Sequence, residues 1–389
     1  MLINRVDDAP RSITRFRPES RVAQNGADSV VSTADDVTES MSPAEVEHVA
    51  EIFKTPLTCS YNWDYRVAED RIRKLYELGK RLNWNASLDI HWDQTPDWQD
   101  AAPWGEEQIE SWLEENPWNG YPPWDAMSVE RRCEYFFQNQ SWSLSQFLHG
   151  EQGALLVASQ LASSAPTFNA KLYAASQTFD EARHVEVFNR FLKTKVGFRY
   201  PVTRGLKDLL DKILTDERWD LKFIGMQIIL EGLALAAFHT ARNDTNDPVL
   251  KELLYLVIRD EARHVTFGVN YLEEYIETLS EEEREDRAQF AYEACVVSRD
   301  RLIATDVFRY FGWDADEAKR VLVERGINAD FQTRLYERVI PNLKRIGLLT
   351  ERIRPKFEEM GVMDFENFAT DGDIDWRELE KPLEPDVTE

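Results

Sequence analysis

The chain has 389 residues, of which 43% are hydrophobic and 30% are charged, as is ordinary for a soluble globular protein. The formal net charge of −25 argues against nucleic-acid binding, because phosphates require stripes of Lys and Arg. Cys59, Cys133 and Cys295 are far apart and form no Cys-x-x-Cys pair. Their spacing indicates a reducing compartment and neither a thiolate metal site nor a disulfide framework.

The N-terminus, residues 1–8, lacks the apolar core of a signal peptide. The chain also contains no run of eighteen apolar residues, so the sequence predicts no membrane span. We therefore expect a cytoplasmic protein.

Two segments precede the predicted helical core. Residues 1–42 are polar and are predicted to form a mobile N-terminal arm. Residues 43–127 form a Trp-rich accessory segment, with a capping-box-like helix start at Ser42 and a short helix to about Phe53. A clear helix is predicted at 67–82. The many tryptophans are typical of a segment that wraps a helical core, with no chemistry of its own.

Four long helices are predicted next, in the segment 128–280, at about 128–164, 167–195, 203–242 and 248–279. Pro166 and Pro248 separate them. The stretch 228–237 is apolar on almost every side, so its helix should be buried on almost every side.

Further helices are predicted at 281–363, packed outside the bundle, and an acidic tail at 364–389 that is a loose strap or disordered. The chain has no Gly-rich phosphate loop and no alternating strand pattern. The predicted fold class is therefore all-α: a four-helix bundle with an N-terminal Trp-rich wrap and extra C-terminal helices.

A six-residue repeat carries the chemistry. The residues 180–185 recur letter for letter as 260–265, and each copy contains a Glu-x-x-His pair. A lone Glu in a largely uncharged stretch lies thirty residues before each motif glutamate. The unit therefore occurs twice, and its candidate metal ligands are Glu151, Glu181, His184, Glu231, Glu261 and His264.

Residues three apart share one face of a helix, so each Glu-x-x-His pair can hold one metal ion. Carboxylates combined with imidazoles favour iron or manganese over copper or structural zinc. A single Glu-x-Arg-His is more often a solvated helix face. Two identical copies at matched spacing instead predict a carboxylate-bridged di-metal centre in a four-helix bundle.

These motifs resemble those of the ferritin-like di-iron superfamily, and most of all the hydroxylase subunits of bacterial multicomponent monooxygenases. The resemblance covers about residues 128–280. It implies that Asp260 accepts a hydrogen bond from His184, that Asp180 accepts one from His264, and that Arg183 and Arg263 pair with these aspartates. A surface role for the two arginines is the alternative.

Four positions depart from the patterns of familiar subgroups. Phe188 stands where ribonucleotide reductase small subunits carry a radical tyrosine. Leu235 and Ala234 replace the threonines of soluble monooxygenases and desaturases, respectively. Val257 stands where arylamine N-oxygenases carry an additional histidine ligand. The residues alone therefore leave the reaction open.

The resemblance implies a non-haem enzyme with two Fe ions, or a Mn/Fe pair, that activates O2. We predict an oxygenase or hydroxylase of a small apolar organic substrate. The alternatives are an N-oxygenase or desaturase-like enzyme, and then ferritin-like or rubrerythrin-like handling of iron or peroxide. The absence of flavin and nicotinamide fingerprints implies an electron-donating reductase or ferredoxin. Members of the superfamily commonly form homodimers, so the resemblance also implies a homodimer.

Several neighbouring residues have two readings. Gly232, Ala234, Ala236 and Ala237 leave room for an apolar pocket or serve close helix packing. Tyr271 lies two turns past His264, where an ordinary core tyrosine is favoured over a redox role. The remaining histidines, His48, His91, His149 and His239, are not predicted to be ligands.

Overall fold

The computed structural model describes residues 14–15, 51–63, 65, 71–94, 106–327 and 329–373. Helices dominate these residues and confirm the predicted all-α class. The strands in this part of the chain are β1 (Thr14–Arg15) and β2 (Phe198–Arg199), which pair antiparallel. The rest of the predicted arm and the predicted helix start at Ser42 lie outside the described residues. The short helix predicted to reach Phe53 is wrong at its end, because residues 51–53 are not helical.

Among the described residues, three helices precede the bundle: α1 (Arg71–Arg81), α2 (Glu106–Glu114) and α3 (Pro122–Asp125). The bundle segment contains α4 (Val129–Ser164), α5 (Phe168–Phe191), α6 (Arg204–Thr215), α7 (Trp219–Phe223), α8 (Glu231–Asp244) and α9 (Pro248–Ile276). After it come α10 (Glu281–Asp300), α11 (Thr305–Tyr310), α12 (Ala315–Glu324), α13 (Ala329–Arg334), α14 (Tyr336–Arg345) and α15 (Arg354–Glu359).

Side-chain caps explain where the long helices begin. Ser128, Thr167 and Asp247 accept hydrogen bonds from backbone N–H groups in the first turns of α4, α5 and α9. At α10, Ser280 and Glu283 form a reciprocal capping box. Such caps satisfy N–H groups that have no partner inside the helix. Three of the four predicted bundle helices therefore have nearly the predicted limits.

The third bundle helix differs from the prediction of one continuous helix over 203–242. It breaks after Thr215, where Asp216 is extended and its carboxylate accepts bonds from the Arg218 backbone and side chain. Beyond the break, Lys222 Nζ donates to the carbonyls of Ile213 and Leu214, each at 3.0 Å. These contacts satisfy carbonyls at the end of α6. The main segment of the third bundle helix therefore starts at Trp219.

This segment, Trp219–Asp244, is a continuous helix that contains a π-helical stretch at Ile224–Leu230, directly before α8. Such wide turns occur often beside functional sites. The helix is long and apolar enough to cross a membrane, but 89% of its apolar window is buried within the fold. That burial is consistent with the core helix of a soluble protein.

The Trp-rich segment contributes to an aromatic cluster at one end of α4, separate from the main hydrophobic core. Trp118 and Trp124 are buried there, against Tyr135, Phe308 and Trp313. In contrast, Trp63 is 74% exposed and stacks on the exposed Tyr61. In the described part of the Trp-rich segment, some tryptophans are therefore buried against other aromatic residues, and others are exposed to solvent.

The first ten residues of the predicted loose tail are held in place, contrary to expectation. Asp371 is buried, and its carboxylate accepts bonds from Arg338 and from Asn342 (2.7 Å). Its backbone carbonyl accepts a bond from Thr266 on α9 (2.6 Å). These contacts tie residues 371–373 to α9 and α14. Residues 374–389 lie outside the described part of the chain.

Candidate metal centre

The four bundle helices bring all six sequence-predicted ligands together in the core. α4 contributes Glu151, α5 contributes a Glu-x-x-His pair, α8 begins with Glu231, and α9 contributes the second pair. None of the six is more than 4% exposed. Because each pair spans one helical turn, its carboxylate and imidazole point in one direction.

The six side chains form two overlapping clusters. The first contains Glu151, Glu181, His184 and Glu261, and the second contains Glu181, Glu231, Glu261 and His264. Within each cluster the candidate ligand atoms lie within 4.8 Å of one another. Glu181 and Glu261 belong to both clusters. Either carboxylate could therefore bind a metal ion at both candidate positions.

Each imidazole turns Nδ1 toward the glutamates. Nδ1 of His184 lies 3.2 Å from Glu151 Oε2 and 3.0 Å from Glu261 Oε1. Nδ1 of His264 lies 3.2 Å from Glu181 Oε1 and 3.3 Å from Glu261 Oε2. The Nδ1 atoms are therefore the nitrogens available to a metal ion.

The opposite ring nitrogens contact aspartates in a crossed pattern, as the sequence resemblance implies. His184 Nε2 lies 3.2 Å from Asp260 Oδ2 on α9, and His264 Nε2 lies 3.2 Å from Asp180 Oδ2 on α5. Each motif thus supports the histidine of the other. Such a partner fixes the tautomer and the orientation of a ligating imidazole.

Arg183 and Arg263 are buried, so their alternative surface reading is wrong. Arg263 Nη2 lies 2.7 Å from Asp260 Oδ1 and 3.0 Å from Asp180 Oδ2. Arg183 Nη2 contacts Asp180 and lies 3.1 Å from Asp260 Oδ2. The two arginines thereby balance the charges of the two aspartates and do not offset those of the four glutamates.

Trp84 and Gln177 also contact this network and were missed by sequence analysis. Trp84, in the Trp-rich segment, donates its Nε1–H to Asp260 Oδ2 at 2.7 Å. Gln177 Nε2 donates to Glu181 Oε1 at 3.0 Å and to Glu231 Oε1 at 2.8 Å. Gln177 lies one turn before Glu181 on the same helix, so helical spacing was a signal for it. Trp84 approaches from a distant segment and had no such signal.

The buried glutamates repel one another when they are ionised. Burial raises the pKa of Glu151 well above its usual range, and the neighbouring Glu261 raises it further. Burial likewise raises the pKa of Glu231, despite the opposing effect of His264. Glu181 differs, because its contacts with His264 and His184 outweigh burial and lower its pKa. Four adjacent carboxylates thus resist being ionised together unless cations compensate them.

These residues fit a pair of divalent metal ions. The four glutamates carry four negative charges when ionised, which two divalent cations would balance. Within the described part of the chain, Glu231 Oε2 is buried and has no hydrogen-bond partner. A buried carboxylate oxygen without a donor is unusual in a folded protein. A metal ion at the second cluster would satisfy it.

A cavity of about 520 Å³ reaches this centre. Glu151, Glu231 and Glu261 form part of its wall. Most of the surrounding lining is apolar and includes Phe147, Ala154, Leu230, Leu233, Ala234 and Ala237. The cavity extends to the aromatic cluster at one end of α4, where Trp118, Tyr135 and Phe308 line it. It is large enough to hold an organic molecule beside the glutamates.

The small residues around Glu231 serve both of the roles predicted for them: some line the cavity and one allows close helix packing. Ala234 and Ala237 line the cavity. Gly232 packs against α14 instead, since a Cβ there would lie 3.2 Å from Val339 Cγ2. Tyr271 lies in a ring cluster, with its hydroxyl oxygen 3.2 Å from Thr167 Oγ1, as expected of a core tyrosine.

The other histidines whose positions are described do not join either cluster. His149 Nε2 lies 2.9 Å from the Tyr200 carbonyl, and His91 Nδ1 lies 2.9 Å from Glu252. His48 lies outside the described residues. Val257, at the position of the additional N-oxygenase ligand, is fully buried and apolar.

Comparison with known proteins identifies a family. The family model described as "P-aminobenzoate N-oxygenase AurF" matches residues 66–347, a region that contains all six candidate ligands. No curated protein matches the chain. The resemblance to multicomponent monooxygenases is not tested by these comparisons, whereas the N-oxygenase alternative coincides with the family found.

Solved structures with similar folds are R2-like ligand-binding oxidases. One variant with an anaerobically reconstituted Mn/Fe cofactor has 19% identity and a TM-score of 0.44, over 72% of this chain and 94% of that chain. Another variant, reconstituted aerobically, has 18% identity and a TM-score of 0.45 over the same shares.

The family match covers most of the chain. It holds although Val257 replaces the additional histidine, so that histidine is not required for membership. The chain belongs to the AurF family and is an O2-dependent di-iron oxidoreductase with an all-α fold.

Proposed function

We propose that this protein oxidises the nitrogen of a small aromatic amine with O2. The cavity beside Glu151, Glu231 and Glu261 is the observation that carries the proposal. Its apolar wall suits an aromatic ring, and its end at the carboxylates would place a substituent of that ring at the metal centre. The family's named reaction, N-oxygenation of p-aminobenzoate, favours an amine as that substituent over a C–H bond.

Six side chains would hold two iron ions, or a Mn/Fe pair: Glu151, Glu181, His184, Glu231, Glu261 and His264. Bound iron supplies the redox chemistry that activates O2. The protein's residues set the conditions for it. The Asp180 and Asp260 contacts hold the two imidazoles with Nδ1 facing inward. The apolar lining excludes water and orients the ring.

Formation of an arylhydroxylamine adds one oxygen atom to the nitrogen and releases the other as water. This consumes two electrons and two protons. The electrons would come from a separate reductase or ferredoxin, as the sequence analysis implies. A cytoplasmic, dimeric enzyme completes the proposal.

The test begins with metal content. Protein reconstituted anaerobically with Fe(II) should bind two ions per chain. Given O2, a chemical reductant and p-aminobenzoate, it should form the hydroxylamine with label from ¹⁸O2, detected by mass spectrometry. A protein that binds no metal would refute the centre. Oxidation of the methyl group of 4-methylbenzoate, with the amine of p-aminobenzoate untouched, would instead identify a C–H hydroxylase.

A further inference from the structure

A stripe of polar side chains runs along α5 toward the metal centre. Asn169, Tyr173 and Gln177 precede Glu181 at intervals of four residues, so each lies about one helical turn from the next. Tyr173 is 1% exposed and Gln177 is 0% exposed. The stripe begins close to Thr167, the exposed residue that caps α5. It therefore leads from the protein surface to a carboxylate that belongs to both ligand clusters.

The second copy of the repeat lacks this polar stripe. The corresponding positions on α9 hold Val249, Leu253 and Val257, which are buried and apolar. A Glu-x-x-His pair therefore does not require polar residues on the preceding turns of its helix. The stripe is a feature of the first copy alone, and it needs an explanation of its own.

Two buried oxygen atoms without partners flank Gln177. Within the described part of the chain, the hydroxyl of Tyr173 and Oε1 of Gln227 are buried and have no hydrogen-bond partner. Tyr173 lies one turn before Gln177 on α5. Gln227 Nε2 donates to Gln177 Oε1 at 3.4 Å, and Gln177 Nε2 donates to Glu231 Oε1 at 2.8 Å. The two oxygen atoms therefore lie on residues adjacent to the second ligand cluster.

Ordered water is the partner that suits these two oxygen atoms. Buried polar atoms without any partner are rare, and bound water molecules commonly satisfy them. Tyr173 and Gln227 belong to neither ligand cluster, so a metal ion held by the glutamates and histidines does not satisfy their oxygens. A buried polar site with several hydrogen-bonding groups is the kind that holds water.

The Tyr173 hydroxyl is suited to pass protons along a chain of water molecules. Burial raises the pKa of the phenol above its usual value, so it stays neutral at physiological pH. A neutral hydroxyl can accept one hydrogen bond while it donates another. His264 and Glu231 lie close enough to influence the pKa of Tyr173. Its ring packs on Phe267, with centroids 4.4 Å apart, which fixes the hydroxyl near the second cluster.

This polar side of the centre is separate from the substrate cavity. Glu231 lines the cavity, whereas Tyr173, Gln177 and Gln227 do not. The cavity wall is mostly apolar, and a substrate that fills it displaces water from that side. Conversion of one oxygen atom of O2 to water nevertheless consumes two protons. A route on the opposite side of Glu231 can supply them while the substrate is bound.

We propose that Tyr173 and Gln227 position a chain of ordered water molecules that delivers protons from the start of α5 to the second ligand cluster. Each hydroxyl or water accepts a proton on one side and releases its own on the other, so no residue changes its net charge. Two such protons and two electrons from the reductase convert one oxygen atom of O2 to water. The proposal rests on the O2 chemistry of the family and not on the amine substrate.

Crystallography of the purified full-length protein tests the water chain without turnover. Metal-free and Fe(II)-loaded crystals, at a resolution that shows ordered water, should each contain a water oxygen within about 3 Å of the Tyr173 hydroxyl and of Gln227 Oε1. Tyr173→Phe should lose the water at the hydroxyl and keep the arrangement of the six ligands. Dry oxygen atoms in the wild-type crystals would overturn the proposal.

The rate of O2 uptake tests proton delivery. Fe(II)-loaded protein is supplied with saturating chemical reductant in H2O and in D2O. Tyr173→Phe and Gln227→Met should take up O2 at least about tenfold more slowly, as is typical when a proton-transfer group is lost. The ratio of the rates in H2O and D2O should rise, because proton delivery then limits the reaction. Tyr200→Phe is the matched control, since it removes a buried hydroxyl that donates to Gln138 outside both clusters.

The outcomes separate proton delivery from structural damage and from the choice of substrate. Unchanged uptake in both variants would overturn the proposal, and so would slower uptake with an unchanged ratio of rates in H2O and D2O. Metal analysis and thermal unfolding show whether each variant keeps its iron and its fold, and Gln227→Met carries the test if Tyr173→Phe does not fold. The expected water and isotope results without amine oxidation would support proton delivery and refute the proposed function.

Discussion

Gln177 Nε2 lies 2.8 Å from Glu231 Oε1, and both residues are buried between α5 and α8. The same amide nitrogen lies 3.0 Å from Glu181 Oε1. Gln177 thus joins two carboxylates of the second ligand cluster. Position 257, one turn before Glu261 in the second copy of the repeat, holds a valine instead. The two candidate metal positions are therefore chemically different.

Gln177→Leu should weaken binding of the second metal ion by 10–100-fold, as is typical when the partner of a ligating carboxylate is lost. Without the amide, Glu181 and Glu231 lose the bond that orients them. Anaerobic Fe(II) titration of the metal-free protein would measure both binding steps. Gln160→Leu is the control, because Gln160 is a buried glutamine outside both clusters. Unchanged stepwise affinities in Gln177→Leu would contradict the prediction.

Glu231→Gln should stabilise the metal-free protein by about 1 kcal/mol, while preventing full occupancy of the centre. The substitution removes one of four adjacent buried acids, and it leaves a polar group of the same shape. Urea unfolding after chelation measures the first effect, and metal analysis measures the second. The exposed Glu277→Gln serves as the control. A metal-free variant less stable than wild type would show that charge repulsion does not dominate there.

Metal removal should lower the thermal stability of the wild-type protein. Ions that bind only the folded chain add about 2.7 kcal/mol at a free concentration one hundredfold above the dissociation constant. The melting temperature should therefore fall on chelation and recover when Fe(II) is returned anaerobically. A variant lacking two ligands, Glu181→Ala with His264→Ala, should show little change on chelation. An equal chelation effect in wild type and this variant would place the stabilising metal elsewhere.

Trp84→Phe should destabilise the fold by about 1–3 kcal/mol, because Asp260 loses a buried donor. The Phe ring retains most of the apolar packing, so the loss reports mainly the hydrogen bond. Chemical denaturation measures it. Trp63→Phe should have little effect, since Trp63 is 74% exposed. Similar losses in both variants would indicate that the bond to Asp260 contributes nothing specific.

Lys222 should make stability depend on alkaline pH. Burial lowers the pKa of its ammonium group to about 8, below the value of about 10.4 expected in the unfolded chain. Between these values the unfolded chain binds more protons, so the contribution of Lys222 to stability increases as pH rises. Unfolding free energies at pH 7.5 and 10 should show wild type gaining relative to Lys222→Met. The exposed Lys319→Met should track wild type.

The candidate ligand set and most of the helical bundle could be predicted from the sequence alone. Both depend on local spacing: Glu181 and His184 share a helical face wherever that helix lies, and caps such as Thr167 define helix starts. The third bundle helix was predicted too long. Its break depends on Lys222 reaching back to the carbonyls of α6, a contact that hydrophobic periodicity does not report.

The residues that surround the candidate ligands could not be predicted in this way, because they come from distant parts of the chain. The bond from Trp84 to Asp260 joins residues 176 positions apart. Arg301, which follows the last residue of α10 outside the bundle, lines the cavity. The readings of Ala234 as cavity lining and of Gly232 as a packing contact were likewise settled by neighbouring helices. Helical spacing predicts which side chains share a face. It does not predict which distant segment packs against that face, because that depends on how the helices pack together.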